Sequence, residues 1–382
     1  MFRHITAMNN HGNIQRLIDL RHQLHREPEL SGNEEQTANT LLQFLKQQHP
    51  DLLVTAVGGH GIIAVYNGEI PGRTVLLRCD MDALPINEST EVKYRSAASG
   101  ISHKCGHDGH MAIMCGVAAE LAENKPVRGT VILLFQPAEE TGQGAARVIS
   151  QLDYKPDLCY ALHNLPGFSM GSVITKDGAF AGASRGMIIK FEGKCSHASQ
   201  PLEGTSPALA VASLITFFSK VSKHSEGIIA TLIHASIGEA AFGTSPGKAT
   251  VMVTLRAPTT KKMSQFSQDV TQQINLICEE EKLQYILSWA EEFPVTANAE
   301  LPNSIIRQTA EQLGYKTRDA KRTFPWSEDF GHFTERYPGA IFGLGSGVNT
   351  ALLHSSEYDF PDQLIPIGIA MFKGIIDRSL KL

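Results

Sequence analysis

The sequence predicts an α/β fold: a domain built on a mostly parallel sheet, into which a small ferredoxin-like α+β domain is inserted. Three observations predict this fold. Short apolar runs alternate with helical patterns in the first and last parts of the chain. These runs are predominantly apolar and β-branched, as in strands that are buried on both faces. The middle of the chain has a different order of elements, which favours a separate domain.

The elements of the α/β part follow from periodicity and from the residues that end helices. Ile14, Leu17 and Leu24 recur at helical spacing, and Pro28 ends that helix. The predicted helices are 13–26, 33–48, 109–123, 144–152 and 304–313, and the predicted strands are 61–66, 74–79, 130–135, 158–162 and 340–344. Strands that alternate with helices in this way imply a largely parallel sheet.

The middle of the chain predicts the order β-α-β-β-α-β of a ferredoxin-like domain. Its predicted elements are a strand at 187–191, a helix at 207–220, strands at 228–236 and 250–256, a helix at 263–280 and a strand at 283–289. Such a unit can fold by itself, so we interpret it as an insertion. The predicted domains are therefore 1–184 and 294–382 for the α/β part and 185–293 for the insertion.

Composition excludes several classes of protein. The 382 residues carry 34 Lys and Arg against 39 Asp and Glu, a net charge of −5, so a basic nucleic-acid surface is not expected. No apolar run approaches the roughly 18 residues that span a bilayer, and the N-terminus lacks the apolar core of a signal peptide. The six cysteines occur singly, as reduced thiols do in the cytoplasm. We therefore expect a cytoplasmic protein that binds neither nucleic acid nor membrane.

Polar residues follow the predicted strands, and this pattern is the main functional signal. In open α/β sheets, ligands bind outside the carboxyl ends of the strands. Acidic, imidazole and thiol groups directly follow three strands, precede one helix, or lie in a polar segment after the last strand: Asp80, Asp82, Glu139, Glu140, His163, Cys105, His107 and His354. The predicted topology brings the three sets that follow strands to one edge of the sheet.

This mixture of donors predicts a centre with two divalent metal ions. Carboxylates, imidazoles and a thiolate together are the ligands that Zn, Mn, Co or Ni take. More than four such groups at one edge favour a pair of ions that share a water, and a neighbouring carboxylate can accept the proton of that water. The chemistry suggested is hydrolysis of an amide or a similar bond.

Each group also has an ordinary structural interpretation. Asp80 and Asp82 could cap a loop, and Glu139 and Glu140 could begin a solvated helix. We interpret four other histidines as structural or surface residues: His22, His25, His60 and His110. A nucleophilic role for Cys105 is disfavoured, because a histidine only two residues away in a Gly-flanked loop has poor geometry for a base.

Several motifs together resemble a known family. They are RHQLHREPELS at 21–31, CDMDALP at 79–85, HKCGHDGH at 103–110, QPAEE at 136–140 and SEDF at 327–330. In this order they resemble the aminoacylase/carboxypeptidase family of dinuclear metallopeptidases. The branch they resemble is that of the amidohydrolases, which includes hippurate hydrolases, auxin-conjugate hydrolases and N-acetyl-diaminopimelate deacetylases. The resemblance covers nearly the whole chain and implies a zinc-peptidase-like catalytic domain with a ferredoxin-like lid.

The resemblance also implies roles for individual residues. The ligands of the dinuclear centre would be Cys105, His107, Glu140, His163 and His354. Glu139 matches the general base, and Asp82 matches the acid that orients a metal ligand. In the lid, His197 matches a histidine that stabilises the oxyanion, usually in the partner subunit's site, and Arg256 matches an arginine that binds the substrate carboxylate. A homodimer or higher homo-oligomer through the lid is implied as well.

The chain departs from the family pattern at four positions. Lys104 stands where relatives usually have Ala, and Cys195 and Ser196 stand where they usually have Gly. Gly247 lies about where most relatives have an Asn that contacts substrate, which makes the substrate preference harder to infer. Asp80 is typical of this branch, although many other relatives have a metal-binding His there.

From the residues and the resemblance we expect a metal-dependent amidohydrolase that cleaves N-acyl amino acids or similar small-molecule amide conjugates. One alternative is a dipeptidase or aminopeptidase that uses the same centre. Another is a non-catalytic homologue that acts as a binding protein. The sequence does not specify the acyl group, the amino acid, the native metal or the oligomer size.

Overall fold

The structure is a computed structural model, and it describes residues 10–224 and 227–382. The described residues form two compact units. The first comprises those of Met1–Phe180, Thr296–Arg322 and Asp329–Leu382, and the second comprises those of Ala181–Val295 and Thr323–Glu328. The sequence analysis assigned 323–328 to the α/β part, whereas the structure places these residues in the second unit. The division into domains 1–184, 185–293 and 294–382 concerns independent folding and stays a prediction.

The helices of the described residues lie close to the predicted ones. They are α1 (Asn10–Arg26), α2 (Glu35–Lys46), α3 (His107–Glu123), α4 (Gly144–Ser150), α5 (Ala208–His224), α6 (Thr260–Glu280), α7 (Glu300–Leu313), α8 (Gly331–Thr334) and α9 (Leu364–Ser379). Two of these, α8 and α9, were not predicted. In α9 an apolar face covers the core, and its residues from Leu364 to Ile376 are largely buried.

Nine strands of the described residues correspond to predicted ones, and most of these are longer than predicted by one to four residues at an end. The strands of the described residues are β1 (Leu52–Val57), β2 (Gly61–Asn67), β3 (Ile70–Asp80), β4 (Arg128–Gln136), β5 (Leu158–Leu165), β6 (Val173–Thr175), β7 (Gly178–Ala181), β8 (Ala183–Glu192), β9 (Ser196–His197), β10 (Ile229–Ile237), β11 (Thr244–Ser245), β12 (Lys248–Ala257), β13 (Gln284–Phe293), β14 (Thr296–Asn298), β15 (Thr317–Asp319) and β16 (Gly339–Gly345).

The main sheet of the first unit has the strand order β1-β2-β4-β3-β5-β16-β6-β15. Its centre is parallel: β3 pairs in parallel with β4 and with β5, and β5 pairs in parallel with β16. Strands β1 and β2 form an antiparallel pair at one end. The sequence analysis missed β1 because only Val57 of that strand is buried, so its apolar signal is weak. The predicted α/β class with a mostly parallel sheet is confirmed.

Helix α3 packs closely against α9 and the segment before it, because two of its residues have no side chain. A Cβ atom at Gly109 would lie 2.4 Å from the ring of Phe360, and one at Gly116 would lie 2.2 Å from Ile369. Nearly all of α3 is buried. This packing fixes the N-terminus of α3, where His107 is the first residue.

The second unit contains a four-stranded antiparallel sheet of order β10-β12-β8-β13 and the helices α5 and α6. The chain order of these elements is β8-α5-β10-β12-α6-β13, which confirms the predicted β-α-β-β-α-β arrangement. Among the described residues of either unit, no helix combines the length and apolar character needed to cross a membrane.

Candidate metal centre

The predicted donors of the first unit come together at the carboxyl ends of its parallel strands. Asp82 follows β3 and the pair Glu139 and Glu140 follows β4, while His163 lies inside β5. Cys105 and His107 come from the loop that enters α3. His354 lies after β16 with a φ of 62°, so its backbone is in the left-handed region.

The donor atoms form three overlapping groups, and within each group all atoms lie within 4.8 Å of one another. The groups are Cys105, His107 and His163; Cys105, Glu140 and His354; and His107, Glu139 and Glu140. Cys105 Sγ lies 3.4 Å from His163 Nε2, and Glu140 Oε1 lies 3.6 Å from His354 Nε2 and 3.8 Å from His107 Nε2. Because Cys105, His107 and Glu140 each belong to two groups, the donors suit two adjacent ions.

Unpartnered buried atoms show that these residues fit metal ions. His107 Nε2 and Glu140 Oε1 are buried, and neither has a hydrogen-bond partner among the described residues. A buried polar atom without a partner costs free energy unless something binds it. Both atoms have the lone pairs that a divalent cation accepts, and both point into the donor cluster.

Hydrogen bonds behind the cluster orient the imidazoles. His107 Nδ1 donates to the backbone oxygen of Asp82 at 2.9 Å, and His163 Nδ1 donates to the backbone oxygen of Asn164 at 2.9 Å. The carboxylate of Asp82 accepts from Ser31 Oγ at 2.6 Å and from the backbone N–H of Glu140 at 2.9 Å. Each Nε2 is therefore the atom left to face a cation, as is usual for histidine ligands of metals.

Burial and neighbouring charges set the protonation of the donors. Burial raises the pKa of the Cys105 thiol well above its ordinary value, and the carboxylates of Glu140 and Glu139 raise it further. Burial, followed by the charge of neighbouring histidines, lowers the pKa of His163 to about 3. For His107, burial acts to lower the pKa, but Asp80 and Asp82 outweigh it and raise the pKa to about 10. A bound cation would displace the protons of the thiol and of His107.

Two predicted site residues, His197 and Arg256, belong to the second unit. His197 lies exposed in β9, and its Nδ1 is 2.7 Å from Ser199 Oγ. Arg256 lies in β12, where its Nη1 donates to Ser327 Oγ at 3.1 Å and to the Pro325 carbonyl at 3.3 Å. No carboxylate among the described residues pairs with its guanidinium.

Gly247, which stands in place of an expected Asn, has no room for a side chain. A Cβ atom there would lie 2.6 Å from the backbone nitrogen of Cys195 and 3.0 Å from its Sγ. Two of the four departures from the family pattern, Cys195 and Gly247, therefore pack against each other.

The sequence analysis did not predict the burial of several polar residues of the first unit. His25 and His110, treated as structural or surface residues, are both fully buried, so the surface interpretation is wrong for them. His110 Nδ1 donates to Asp80 at 2.6 Å. Arg78 and Asp329, to which no role was given, are buried as well. One feature of the sequence could have indicated such a residue: Arg78 is a charged residue inside the apolar strand β3.

His25 makes stability depend on pH. Burial alone would lower its pKa, but hydrogen bonds with Asp108 at 2.8 Å and Glu88 at 3.0 Å outweigh burial and raise the pKa to about 9. A pKa raised by folding contributes stability below the unfolded value, roughly 6.5, and this contribution is lost as pH rises towards 9. We expect the free energy of unfolding of the wild type, relative to a His25→Gln variant, to fall by roughly 3 kcal/mol across that window. Urea denaturation of both proteins at pH 6, 7.5 and 9 measures it, and a pH-independent difference contradicts it.

A parallel sheet with imidazole, thiol and carboxylate donors at its strand ends defines a metal-dependent hydrolase with a two-ion centre. The chain belongs to peptidase family M20/M25/M40, whose family model matches residues 76–378.

Relatives in sequence and structure agree with this assignment. The chain is 33% identical over 342 residues to an N-acetyl-L-cysteine deacetylase of Bacillus subtilis, covering 87% of this chain and 80% of that protein. It is 29% identical over 379 residues to an N-acetyldiaminopimelate deacetylase of Lactobacillus helveticus, covering 94% and 96%. A solved Bacillus subtilis structure, titled a dinuclear metal binding peptidase from the M20 family, has the same fold with a TM-score of 0.83, 24% identity and coverage of 97% and 99%.

Proposed function

We propose that this protein hydrolyses the amide bond of N-acyl amino acids, which releases a carboxylic acid and a free amino acid. One observation carries the proposal: the side chains of Cys105, His107, Glu140, His163 and His354 form overlapping groups of donors, and Glu139 shares one of these groups with His107 and Glu140. The deacetylase relatives support the choice of N-acyl amino acids over other amides.

Glu139 is the proposed general base of the reaction. Its carboxylate accepts the proton of the attacking water and then donates this proton to the nitrogen of the leaving amine. When bound, a pair of divalent ions lowers the pKa of a shared water towards ~7 and polarises the amide carbonyl. Cys105, His107, Glu140, His163 and His354 would hold the ions, and Asp82 would orient His107 through the backbone and carboxylate contacts behind its Nδ1.

Arg256 and His197 are the proposed substrate-binding residues of the second unit. Arg256 is half-buried and has no carboxylate partner among the described residues, and burial lowers its pKa. A half-buried guanidinium without a carboxylate partner can make strong paired hydrogen bonds with a carboxylate, such as that of the amino-acid part of the substrate. His197, with an exposed imidazole, would donate to the oxyanion that forms on the attacked carbonyl.

A substrate screen tests the proposed function. Acetyl-, benzoyl- and indoleacetyl-amino acids are assayed with Zn, Mn, Co and Ni supplied separately, beside dipeptides that have a free α-amine. We expect turnover of the N-acyl compounds and little turnover of the dipeptides. Faster hydrolysis of the dipeptides would show that the peptidase alternative is correct.

An Arg256→Met variant should raise KM for an N-acyl amino acid and leave KM for the corresponding carboxamide unchanged.

We also propose that the protein forms a homodimer through the second unit. Strand β10 is an edge of its sheet, and among the described strands it pairs only with β12. Its apolar side chains are exposed, by 38% for Leu232 and 59% for Ile233. A long apolar edge strand is normally covered in a stable protein. Light scattering should give the mass of a dimer for the wild type and of a monomer for Ile233→Lys, and equal masses would contradict this interface.

The proposed location is the cytoplasm. All six cysteines are free thiols, and five of them are buried. Because Cys105 is one of the proposed ligands, its thiol must stay reduced, which a cytoplasmic environment ensures.

A further inference from the structure

A buried ion-pair network lies beside the metal centre, and none of its members is a proposed ligand. Arg78 is its centre. The guanidinium donates from Nη1 to Asp80 at 2.8 Å, from Nη2 to Asp329 at 2.7 Å and from Nε to Gln136 Oε1 at 2.9 Å. All four side chains are almost completely inaccessible to solvent. Burying charges costs free energy, which is offset only where close ion pairs and further hydrogen bonds satisfy the buried groups, as they do here.

Asp329 holds both ends of the segment 136–145, which carries Glu139. Its carboxylate accepts from Gln136 Nε2 at 2.8 Å and from the backbone N–H of Ala145 at 2.9 Å. The backbone N–H of Asp329 in turn donates to Glu139 Oε1 at 3.3 Å. One residue thus contacts the start of the segment, its end and the carboxylate of the proposed general base.

The segment 136–145 needs such support, because its conformation is strained. Ala138 has a φ of 54°, in the left-handed region that costs a non-glycine residue roughly 1–2 kcal/mol. At Gly144 a Cβ atom would lie 1.7 Å from the Pro137 carbonyl oxygen, so only glycine fits the close turn. Backbone strain of this kind persists only where surrounding contacts determine it.

We propose that Arg78 and Asp329 are positioning residues for Glu139, an inference that rests on the proposed function. Arg78 fixes the carboxylate of Asp329, and Asp329 fixes the segment and the carboxylate of Glu139. Neither residue touches the substrate or exchanges a proton in the reaction. They affect the rate only by fixing the position of the Glu139 carboxylate.

The first test is the kinetics of Asp329→Asn. The amide has nearly the shape of the carboxylate, but it keeps only one acceptor oxygen, so an N–H donor that faces the other oxygen of Asp329 loses its acceptor. Since a misplacement of about 1 Å can cost ~10²-fold, we expect kcat to fall by roughly 10- to 100-fold. KM and the metal content should stay within about twofold of the wild type, as the metal ligands are unchanged. Loss of the metals, or a change in KM alone, would overturn the proposal.

A double-mutant cycle decides whether Asp329 acts through Glu139. In a Glu139→Gln background the general base is already lost, so adding Asp329→Asn should reduce the residual rate by less than about twofold. A purely structural residue would lower the rate by the same factor in both backgrounds, and that result would overturn the proposal.

Hydrogen exchange supplies a readout that needs no turnover. Backbone amides of 136–145 should exchange faster in Asp329→Asn and in Arg78→Lys than in the wild type, and amides of the second unit should not change. Arg78→Lys keeps the charge and serves as the second variant if Asp329→Asn does not fold. Unchanged exchange in 136–145 would overturn the proposal.

The proposed function and the positioning role can fail separately. If the wild type hydrolyses no N-acyl amino acid, the proposed function fails, while the exchange result still decides whether Arg78 and Asp329 hold the segment 136–145.

Discussion

Replacing Glu139 with Gln is expected to lower kcat for N-acyl amino acid hydrolysis by at least about 10²-fold. The amide cannot accept the proton of the attacking water, and general acid–base catalysis contributes typically ~10²–10⁴-fold to rates. Steady-state kinetics with an acetyl-amino acid measure the effect. The substitution changes no atom of the proposed ligands, so elemental analysis should find the same metal content in variant and wild type.

The control for this experiment is Glu123→Gln, which changes an exposed glutamate at the far end of α3. It should have wild-type kcat. Turnover of Glu139→Gln close to that of the wild type would remove Glu139 from the role of general base. A loss of metal would instead show that Glu139 is a ligand.

Replacing Arg21 with Met is expected to lower the free energy of unfolding by roughly 3–5 kcal/mol, the usual cost of leaving buried charges unpaired. Arg21 is fully buried, and its guanidinium lies 2.7 Å from Asp359, 2.9 Å from Asp362 and 3.1 Å from Asp108. Burial alone would lower its pKa, but these three carboxylates outweigh burial and raise the pKa above its ordinary value. Urea denaturation at pH 7 measures the loss.

A second arginine provides a matched control. Arg307 also bridges two carboxylates, those of Asp177 at 2.8 Å and Asp319 at 2.7 Å, but this network is at the surface. Because solvent screens exposed ion pairs, Arg307→Met should cost at most about 1 kcal/mol. Equal losses for the two variants would show that burial of the Arg21 network does not determine its contribution.

Part of the centre could be predicted from the sequence, namely the donors that directly follow buried strands. Apolar runs located β3, β4 and β5, and the polar residues after them predicted Asp82, Glu139 and Glu140. The structure places Asp80 and His163 inside their strands, because β3 and β5 continue beyond the apolar runs. Strand ends are read less accurately than strand centres, since hydrogen bonding continues past the last apolar residue.

The supporting network could not be predicted, because its contacts join distant parts of the chain. Arg78 and Asp329 are separated by 251 positions, and no local pattern indicates that they meet. His25 and Glu88 are likewise far apart in sequence. Buried polar partners of this kind are specified by the packed fold, whereas periodicity reports only which face of an element is apolar.

The order of the donors along the chain has a consequence for how the protein matures during synthesis. The first unit is completed by Asp329–Leu382, and His354 comes from this last stretch, after the whole second unit has been made. The full donor set therefore cannot exist while the chain is still emerging from the ribosome before residue 354. The proposed ligand set is therefore complete only after residue 354 has been synthesised, which is after the whole second unit, so the two ions cannot gain all their proposed ligands before that point.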